Sequence, residues 1–310
     1  MQSFLPLKTA LTPLQFDVAL DSNPEGFEEY RHFYQLDQLP APHRIGSVAS
    51  GIHTLAVQYW LPENAQQTAL LVHGYFDHVG LYHHVIHYLL KKNFAVIAFD
   101  LPGHGLSSGA RAVTHDLEKY PQAIHAILVA SANKKLPPIT LGFGQSTGCA
   151  AWMNFQMSGF NNSIQKLILF SPLLRPHHWQ PQAHALYLTL RHFVQYIPRN
   201  FRANSSNQAF LQFCHYEDPL QPRYLTVAWV TAMKNWLHRF SKQPTIAIPT
   251  LILQGELDDT VDWRYNIPQI LRKIPYAQLH YLAEARHHLA NESTSIRART
   301  WQIVTQFLEI

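Results

Sequence analysis

The 310-residue chain has little cysteine, and it lacks a long apolar run. Two cysteines, Cys149 and Cys214, are too few for a disulfide framework and are typical of a reducing compartment. No apolar segment approaches the roughly 20 residues of a membrane-spanning helix. The amino-terminal stretch is interrupted by Pro6 and Pro13, so we expect no secretory signal there. These features predict a cytoplasmic protein.

Charge is also sparse, at 14% of residues, against a hydrophobic content of 47% that is typical of a globular protein with a substantial core. The 24 Lys and Arg residues exceed the 20 Asp and Glu residues, but the excess is not gathered into a run. This distribution argues against nucleic-acid binding. It is compatible with peripheral contact to a mildly anionic phospholipid surface, such as the inner face of a membrane. The oligomeric state does not follow from composition.

The most informative stretch is 138–151, where an apolar strand runs into a Gly-x-Ser-x-Gly turn and then into a helix-forming sequence. A serine hydroxyl is a weak nucleophile at neutral pH, so it needs an adjacent base and donors for the oxyanion. A tight strand-to-helix elbow would hold Ser146 in a strained position, and Gly144 and Gly148 would let strand and helix pass closely. The alternative for the motif alone is an ordinary glycine-rich loop.

Strand-like and helical segments alternate along the rest of the chain. The first two strands form a predicted hairpin joined by Ser50 and Gly51, at a sheet edge with one wetter face. The later strands are apolar throughout, as in parallel strands buried on both faces. The alternation predicts an α/β fold with helices on both faces of the sheet. The predicted strands are 44–49, 53–60, 68–73, 94–100, 139–141, 166–171, 250–254 and 278–282. Helices are predicted over 82–92 and over 112–132, the second with an interruption at Pro121.

Short motifs follow several of these strands, at the edge where parallel sheets usually bind ligands. They are His73-Gly74, Asp100-x-Pro-Gly-His-Gly-x-Ser107, the elbow, Gln254-Gly255-x-x-Asp258 and Ala285-Arg286-His287. In order and spacing they resemble the lysophospholipase and monoacylglycerol-lipase group of serine hydrolases, over about residues 44 to 308. The resemblance implies the α/β-hydrolase fold: a mostly parallel, doubly wound, eight-stranded sheet with a helical cap inserted after strand 6. Gln145, Thr147 and Cys149 differ from the group's common residues, which bears on substrate preference.

The resemblance also implies a catalytic triad. In this fold the nucleophile is followed along the chain by the acid and then the histidine. That order makes Ser146 the nucleophile, Asp258 the acid and His287 the base. Asp259 and Asp262 share the acidic loop, where solvated carboxylates and helix caps are the alternative role. His288 is the alternative base, and the resemblance favours His287.

Two backbone N–H groups are predicted to form the oxyanion hole. Thr147 follows the nucleophile at a helix amino terminus, where the helix dipole favours negative charge. The resemblance assigns the second donor to Tyr75. We expect no metal and no cofactor, because His83 and His87 lie four residues apart without a third ligand at a supporting spacing. His104 is interpreted as a structural hydrogen-bonding residue beneath the site.

The expected organisation has three parts. Residues 1–43 form an amino-terminal extension with a short helix near 24–31, residues 44–171 and 249–310 form the hydrolase core, and residues 172–248 form the cap. Two apolar stripes in the cap would either pack on the core or cover an acyl chain, and the cap arginines could meet anionic head groups. The stripes are Leu186, Leu190, Phe193, Val194 and Ile197, and Leu225, Trp229, Met233, Trp236 and Phe240; the arginines are Arg175, Arg191, Arg199, Arg202 and Arg223.

The predicted activity is hydrolysis of carboxylic esters of monoacyl lipids through an acyl-enzyme on Ser146. Lysophospholipid is the first choice of substrate, with monoacylglycerol or a smaller ester as the alternative. Dehalogenases and epoxide hydrolases of this fold would need Asp at the elbow. A non-catalytic ligand-binding protein is disfavoured because all three triad positions are occupied.

Overall fold

The computed structural model describes residues 4–16, 23–132, 134–177, 179, 189 and 193–309. Within these ranges the strands are β1 His43–Ser50, β2 His53–Trp60, β3 Gln67–Val72, β4 Phe94–Phe99, β5 Ile139–Gln145, β6 Lys166–Phe170, β7 Tyr196–Pro198, β8 Tyr224–Thr226, β9 Thr250–Gly255 and β10 Ala277–Leu282. Eight of them form one sheet in the order β1-β2-β4-β3-β5-β6-β9-β10, and β7 pairs with β8. Only β1 with β2 and β2 with β4 are antiparallel in the large sheet. The predicted eight-stranded, mostly parallel sheet is therefore confirmed.

Helices connect most of the parallel strands. In the described ranges they are α1 Leu5–Ala10, α2 Phe27–Phe33, α3 His83–Lys91, α4 Lys119–Ser131, α5 Thr147–Met157, α6 Gln208–Gln212, α7 Val227–Phe240, α8 Trp263–Lys273 and α9 Thr294–Leu308. None of these helices is long and apolar enough to cross a membrane.

Each face of the sheet is buried under its own hydrophobic cluster. On β3, Leu70 and Val72 belong to one cluster, whereas Ala69 and Leu71 belong to the other. Successive side chains of a strand point to opposite faces, so an inner strand covered on both sides must be apolar at every position. This explains the uninterrupted apolar runs in the sequence. Helices α4, α5 and α7 contribute to the first cluster, and α3 and α9 to the second.

The amino-terminal segment covers both faces of the β1-β2 hairpin. Phe16 joins the first cluster, and Phe4 and Tyr30 join the second. Residues 55–60 of β2 are consequently buried on both faces, so the predicted wetter face is wrong for this strand. The covering residues lie far from β2 in sequence, and the local alternation pattern does not reveal them.

Two predicted boundaries also differ from the structure. The hairpin turn consists of Gly51 and Ile52, because Ser50 still pairs with His53. The helix predicted over 112–132 begins at Lys119. Pro121 therefore lies in its first turn, where a missing N–H needs no replacement, and it does not interrupt the helix.

The apolar stripe of α7 packs on the sheet. Trp229, Met233 and Trp236 are buried in the first cluster, so the packing interpretation applies to this helix. In the other predicted stripe, Phe193 and Ile197 are exposed. Leu186 and Leu190 lie outside the described residues.

A buried carboxylate organises the loop after β4. Asp100 accepts hydrogen bonds from the backbone N–H groups of Val79 (2.8 Å) and Leu106 (2.7 Å). Ser107 Oγ donates to the Asp100 carbonyl oxygen at 2.5 Å and accepts from the Ala56 N–H at 2.8 Å. Burial raises the pKa of Asp100, and the two N–H donors oppose that rise. The Asp-x-Pro-Gly-His-Gly-x-Ser motif is thus a folded turn that is hydrogen-bonded to β2.

We expect Asp100→Ala to lower the free energy of unfolding by about 3 kcal/mol, because two buried N–H groups lose their acceptor. Urea denaturation of the purified variant measures the change. Asp37→Ala is the matched control, since this carboxylate is exposed and lies 3.1 Å from the side chain of His32 at the surface, so stability should change by about 0.5 kcal/mol or less. Equal stability of the two variants would contradict the role given to Asp100.

Candidate active site

The loops after β3, β5, β9 and β10 meet at the carboxyl edge of the sheet. Strand β5 lies between β3 and β6 in the sheet, and β9 and then β10 lie beyond β6. Ser146 ends the loop after β5, Asp258 follows β9, and His287 follows β10. All three side chains are buried, with at most 8% of each residue exposed.

The elbow around Ser146 is strained and tightly packed. Ser146 has φ 54° and ψ −110°, a conformation that residues with a side chain rarely adopt. Its N–H donates to the Phe170 carbonyl oxygen at 2.9 Å. A Cβ added to Gly148 would lie 2.0 Å from the Val72 carbonyl oxygen, and one on Gly144 would lie 2.8 Å from the Cys149 nitrogen. Both positions therefore exclude any side chain.

Asp258 and His287 form a direct pair. His287 Nδ1 donates to Asp258 Oδ2 at 2.8 Å. The same oxygen accepts from Gln254 Nε2 at 3.0 Å, and Oδ1 accepts from the N–H groups of Thr260 (2.8 Å) and Val261 (3.1 Å). These donors hold the carboxylate in one orientation. The imidazole is therefore fixed with its proton on Nδ1, which leaves Nε2 as the basic nitrogen.

The pair is also coupled electrostatically. Burial opposes the charged imidazole, but the charge and hydrogen bond of Asp258 together raise the pKa of His287. Burial likewise opposes ionisation of Asp258, whereas His287 and the surrounding donors lower the pKa of that carboxyl. Asp258 is therefore ionised and stabilises the protonated imidazole.

A second contact joins the histidine loop to the elbow. Gln145, directly before Ser146, donates from Nε2 to the His287 carbonyl oxygen at 2.9 Å. In the conformation of the described residues, Ser146 Oγ makes no hydrogen bond to His287 Nε2. Such bonds are often long in a free active site and shorten when substrate binds.

The loop after β3 lies against Ser146. A Cβ on Gly74 would be 3.4 Å from Ser146 Cβ and 2.7 Å from Asp77 Oδ2. Neither the Tyr75 N–H nor the Thr147 N–H has a backbone acceptor among the described residues. Both predicted oxyanion donors are therefore unpaired in the part of the chain that the structure covers.

Tyr75 and His73 fix the conformation of this loop. The ring of Tyr75 stacks on Trp229 at 4.0 Å, and its hydroxyl donates to the Ala112 carbonyl oxygen at 2.9 Å. Burial lowers the pKa of His73 to about 3, so the ring is neutral. It donates from Nδ1 to the Gly74 carbonyl oxygen at 2.7 Å and accepts from the Leu101 N–H at Nε2, at 2.9 Å.

Asp262 and His288, two of the competing residues, make other contacts. Asp262 accepts from Arg175 at 2.6 Å and from the Tyr265 N–H at the start of α8, as a helix cap does. The ring of His288 faces Asp77 rather than Asp258, with Nε2 at 3.3 Å from Asp77 Oδ2. His104 is buried, and its Nδ1 is 3.0 Å from the Pro102 carbonyl oxygen.

Sequence reasoning missed two buried carboxylates around the site. Asp77 accepts from the Tyr82 hydroxyl at 2.8 Å, and that hydroxyl accepts from the Gly74 N–H at 3.1 Å. The sequence position of Asp77, between the His73-Gly74 motif and a predicted helix, could have identified it as a residue near the site. Asp218 accepts from Tyr34 (2.6 Å) and His78 (2.9 Å). These partners are 184 and 140 residues away in sequence, so no local pattern could have identified the pair.

The described residues contain no group of three or more His, Cys, Asp or Glu side chains placed to hold a metal ion. His83 and His87 stack with ring centroids 6.1 Å apart on α3. Cys149 and Cys214 are buried free thiols.

The family model described as serine aminopeptidase, S33, matches residues 63–294. The crystal structure of a monoacylglycerol lipase from Paleococcus ferrophilus superposes with a TM-score of 0.69 at 23% identity, covering 82% of this chain and 98% of that chain. At this identity the likeness shows a shared fold.

Two curated proteins are similar in sequence. The probable lysophospholipase L2 of Haemophilus influenzae is 23% identical over 275 residues, which cover 80% of this chain and 86% of that protein. A monoacylglycerol lipase of Mycolicibacterium smegmatis is 28% identical over 133 residues, which cover 41% of this chain and 46% of that protein. The chain spans 14% and 46% of the lengths of the first two curated relatives that it matches.

We expect the imidazole of His287 to titrate above the ordinary value of 6.5 because Asp258 stabilises its charged form. Asp258→Asn removes the negative charge but not the burial, so the pKa of His287 should fall. Imidazole chemical shifts followed by NMR over a pH series measure this change, with His287→Gln used to assign the signal. In Asp262→Asn the pKa should stay unchanged. A His287 signal insensitive to Asp258→Asn would contradict the pairing.

Proposed function

Because the chain belongs to the serine aminopeptidase S33 family, we propose that it is a serine hydrolase that cleaves carboxylic esters of monoacyl lipids. The observation that carries the proposal is the Asp258–His287 hydrogen bond of 2.8 Å beside a serine held at a strained elbow. An ionised carboxylate, an imidazole oriented by it and an adjacent hydroxyl are the components of nucleophilic acyl transfer.

In the proposed reaction Ser146 Oγ attacks the ester carbonyl carbon, and His287 Nε2 takes the hydroxyl proton. The tetrahedral intermediate collapses as the bond to the alcohol oxygen breaks, and His287 returns the proton to that oxygen. Water, activated by the same imidazole, then releases the acid from the acyl-enzyme. Asp258 remains ionised and stabilises the imidazolium in both steps.

The N–H groups of Thr147 and Tyr75 are the proposed donors to the oxyanion. Each donor of this kind contributes about 3 kcal/mol or more to transition-state stabilisation. Their lack of backbone acceptors within the described residues leaves them available for that role. Gly74 contributes by bringing this loop against Ser146 without a side chain.

Lysophospholipid is the proposed first substrate, and monoacylglycerol or a smaller ester is the alternative. Relatives named lysophospholipase and monoacylglycerol lipase support a monoacyl lipid. The partly buried ring of Tyr75, which stacks on the buried ring of Trp229, is an apolar group next to the proposed oxyanion donor. Burial of each acyl methylene stabilises the complex by about 0.8 kcal/mol, so a long chain supplies much of the binding energy.

We propose that residues 172–248 act as the cap over a core formed by 44–171 and 249–310, with 1–43 as an amino-terminal extension. Within the cap, Phe193, Tyr196, Ile197 and Tyr224 are exposed. Aromatic and apolar side chains close to Arg223 suit the interface of an anionic membrane. The proposal therefore includes peripheral contact with the inner membrane face, and the two buried free thiols support a cytoplasmic location.

Ser146→Ala and His287→Ala should each reduce turnover of a chromogenic acyl ester by about a millionfold, because the triad acts as a unit. Steady-state kcat/KM measures the loss. Ser295→Ala and His280→Ala are the matched controls, and they should stay within twofold of the wild type. His288→Ala should retain at least a hundredfold more turnover than His287→Ala. A wild-type protein inactive on all esters and amides would refute the proposal and favour a ligand-binding protein.

A series of substrates tests the lipid assignment. We expect kcat/KM to rise by about fourfold per added methylene at first, since about 0.8 kcal/mol of burial corresponds to roughly that factor. The rise should stop at the length that fills the site. The series compares lysophosphatidyl lipids, monoacylglycerols and p-nitrophenyl esters of equal acyl length. Highest kcat/KM on acetyl esters would instead assign a short-chain esterase.

A further inference from the structure

A small basic pocket is lined in part by two loops of the proposed active site. It encloses about 140 Å³ and is lined by Arg199, Arg202, His215 and His288, with Asp77 and Phe201 among its other walls. Asp77 belongs to the loop that carries the proposed oxyanion donor, and His288 follows the proposed base. The pocket thus lies between these two loops.

Arg199 is rigidly placed in this pocket. Its guanidinium lies between the rings of Phe76 (4.2 Å) and Phe201 (4.3 Å), and Phe76 is next in sequence to Tyr75. Burial lowers the pKa of Arg199 to about 10, so the side chain is still charged at neutral pH. Within the described part of the chain its guanidinium hydrogen bonds both use Nη1, to the Gln221 side chain (2.5 Å) and the Pro222 carbonyl oxygen (3.4 Å).

His288 supplies an independent indication that the pocket binds a ligand. The residue is 2% exposed, yet its Nδ1 has no hydrogen-bond partner among the described residues, and Nε2 is paired only with Asp77. Buried polar atoms without partners are uncommon because they lose water and gain nothing in exchange. The 3.3 Å separation from Asp77 is an ion-pair distance without hydrogen-bond geometry.

The charges around the pocket favour an anion. Arg199 and Arg202 line it, and the guanidinium of Arg223 lies 5.2 Å from the ring of Phe201. The lining carboxylate, Asp77, already accepts the hydroxyl of Tyr82. Arg202 donates from Nη1 to the Asp259 carbonyl oxygen at 3.2 Å and has further donors available to a ligand, because a guanidinium carries five N–H groups.

The position of the pocket indicates which half of the substrate it can bind. The general acid must reach the leaving oxygen, so the alcohol part of the ester has to lie beside His287. The pocket adjoins this residue through His288. A charged group attached to the alcohol, rather than the acyl chain, is therefore the part that the pocket can receive.

We propose that Arg199, Arg202 and His288 bind a phosphoryl group on the alcohol half of the substrate. This inference rests on the proposed function and deepens it. Guanidinium groups bind phosphoryl oxygens through paired, charge-assisted hydrogen bonds, and the buried imidazole supplies a further donor. The preferred substrates are then lysophospholipids, in which the phosphoryl group is linked through glycerol to the acyl ester.

The test compares 1-acylglycerol 3-phosphate with 1-acylglycerol of the same acyl chain. Arg202→Gln should lower the ratio of their kcat/KM values by about tenfold or more, because a hydrogen-bonded charge is lost from the phosphorylated substrate alone. Arg202 is exposed, so the variant should fold. Arg199→Lys should lower the same ratio, since lysine keeps the charge but not the planar donors. Arg272→Gln, which alters an exposed arginine at the end of α8, should leave the ratio within twofold. An unchanged ratio in Arg202→Gln and Arg199→Lys would overturn the inference.

A binding measurement separates this inference from the proposed function. Calorimetry with Ser146→Ala should show glycerol 3-phosphate binding at least tenfold more tightly than inorganic phosphate, and binding should weaken in the Ser146→Ala, Arg202→Gln double variant. Equal affinity for both ligands would assign a free-phosphate site and overturn the head-group assignment, as would no binding of either. Loss of ester turnover in the wild type would refute the hydrolase proposal without affecting the calorimetric result.

Discussion

Buried carboxylates hold the loops at the carboxyl edge of the sheet, and the rest of the site depends on them. Asp100 and Asp258 each accept two backbone N–H groups. Asp77 accepts the hydroxyl of Tyr82, and Asp218 accepts from the side chains of Tyr34 and His78 and from the Leu220 N–H. A buried carboxylate without donors would be strongly disfavoured, so each one fixes the loop that surrounds it. Loops that would otherwise be mobile therefore present their functional groups in one arrangement.

This arrangement links the site to distant parts of the chain. Asp218, in the segment after β7, binds His78 from the loop after β3 and Tyr34 from the amino-terminal segment. Burial opposes the charged form of His78, but the charge and hydrogen bond of Asp218 raise its pKa. The pair is therefore ionic and fully buried. Separating its partners would leave an uncompensated charge, so these three segments are expected to stay together.

Much of the fold and several features of the site were predictable from local patterns. The apolar runs identified the buried parallel strands, since an inner strand has no face in water. The elbow followed from Gly144, Ser146 and Gly148, because such close contact of strand and helix admits no side chain. The wetter face of β2 was predicted wrongly, since Phe16 and Tyr30 approach it from outside the local sequence. The helix start at Lys119 was missed because Pro121 fits a first turn as readily as an interruption.

The sequence by itself determined the order of strands and helices, the elbow, and which residue types stand after each strand. Tertiary structure decided which of those residues meet. It placed His287 against Asp258 and turned His288 toward Asp77. The sequence alone does not show which of two adjacent histidines pairs with Asp258. It also enclosed Arg199 and His288 in one pocket, although they are 89 residues apart in sequence. Hydrophobic periodicity is local and can be read along the chain, whereas hydrogen-bond and charge pairing depend on distances that only the folded chain defines.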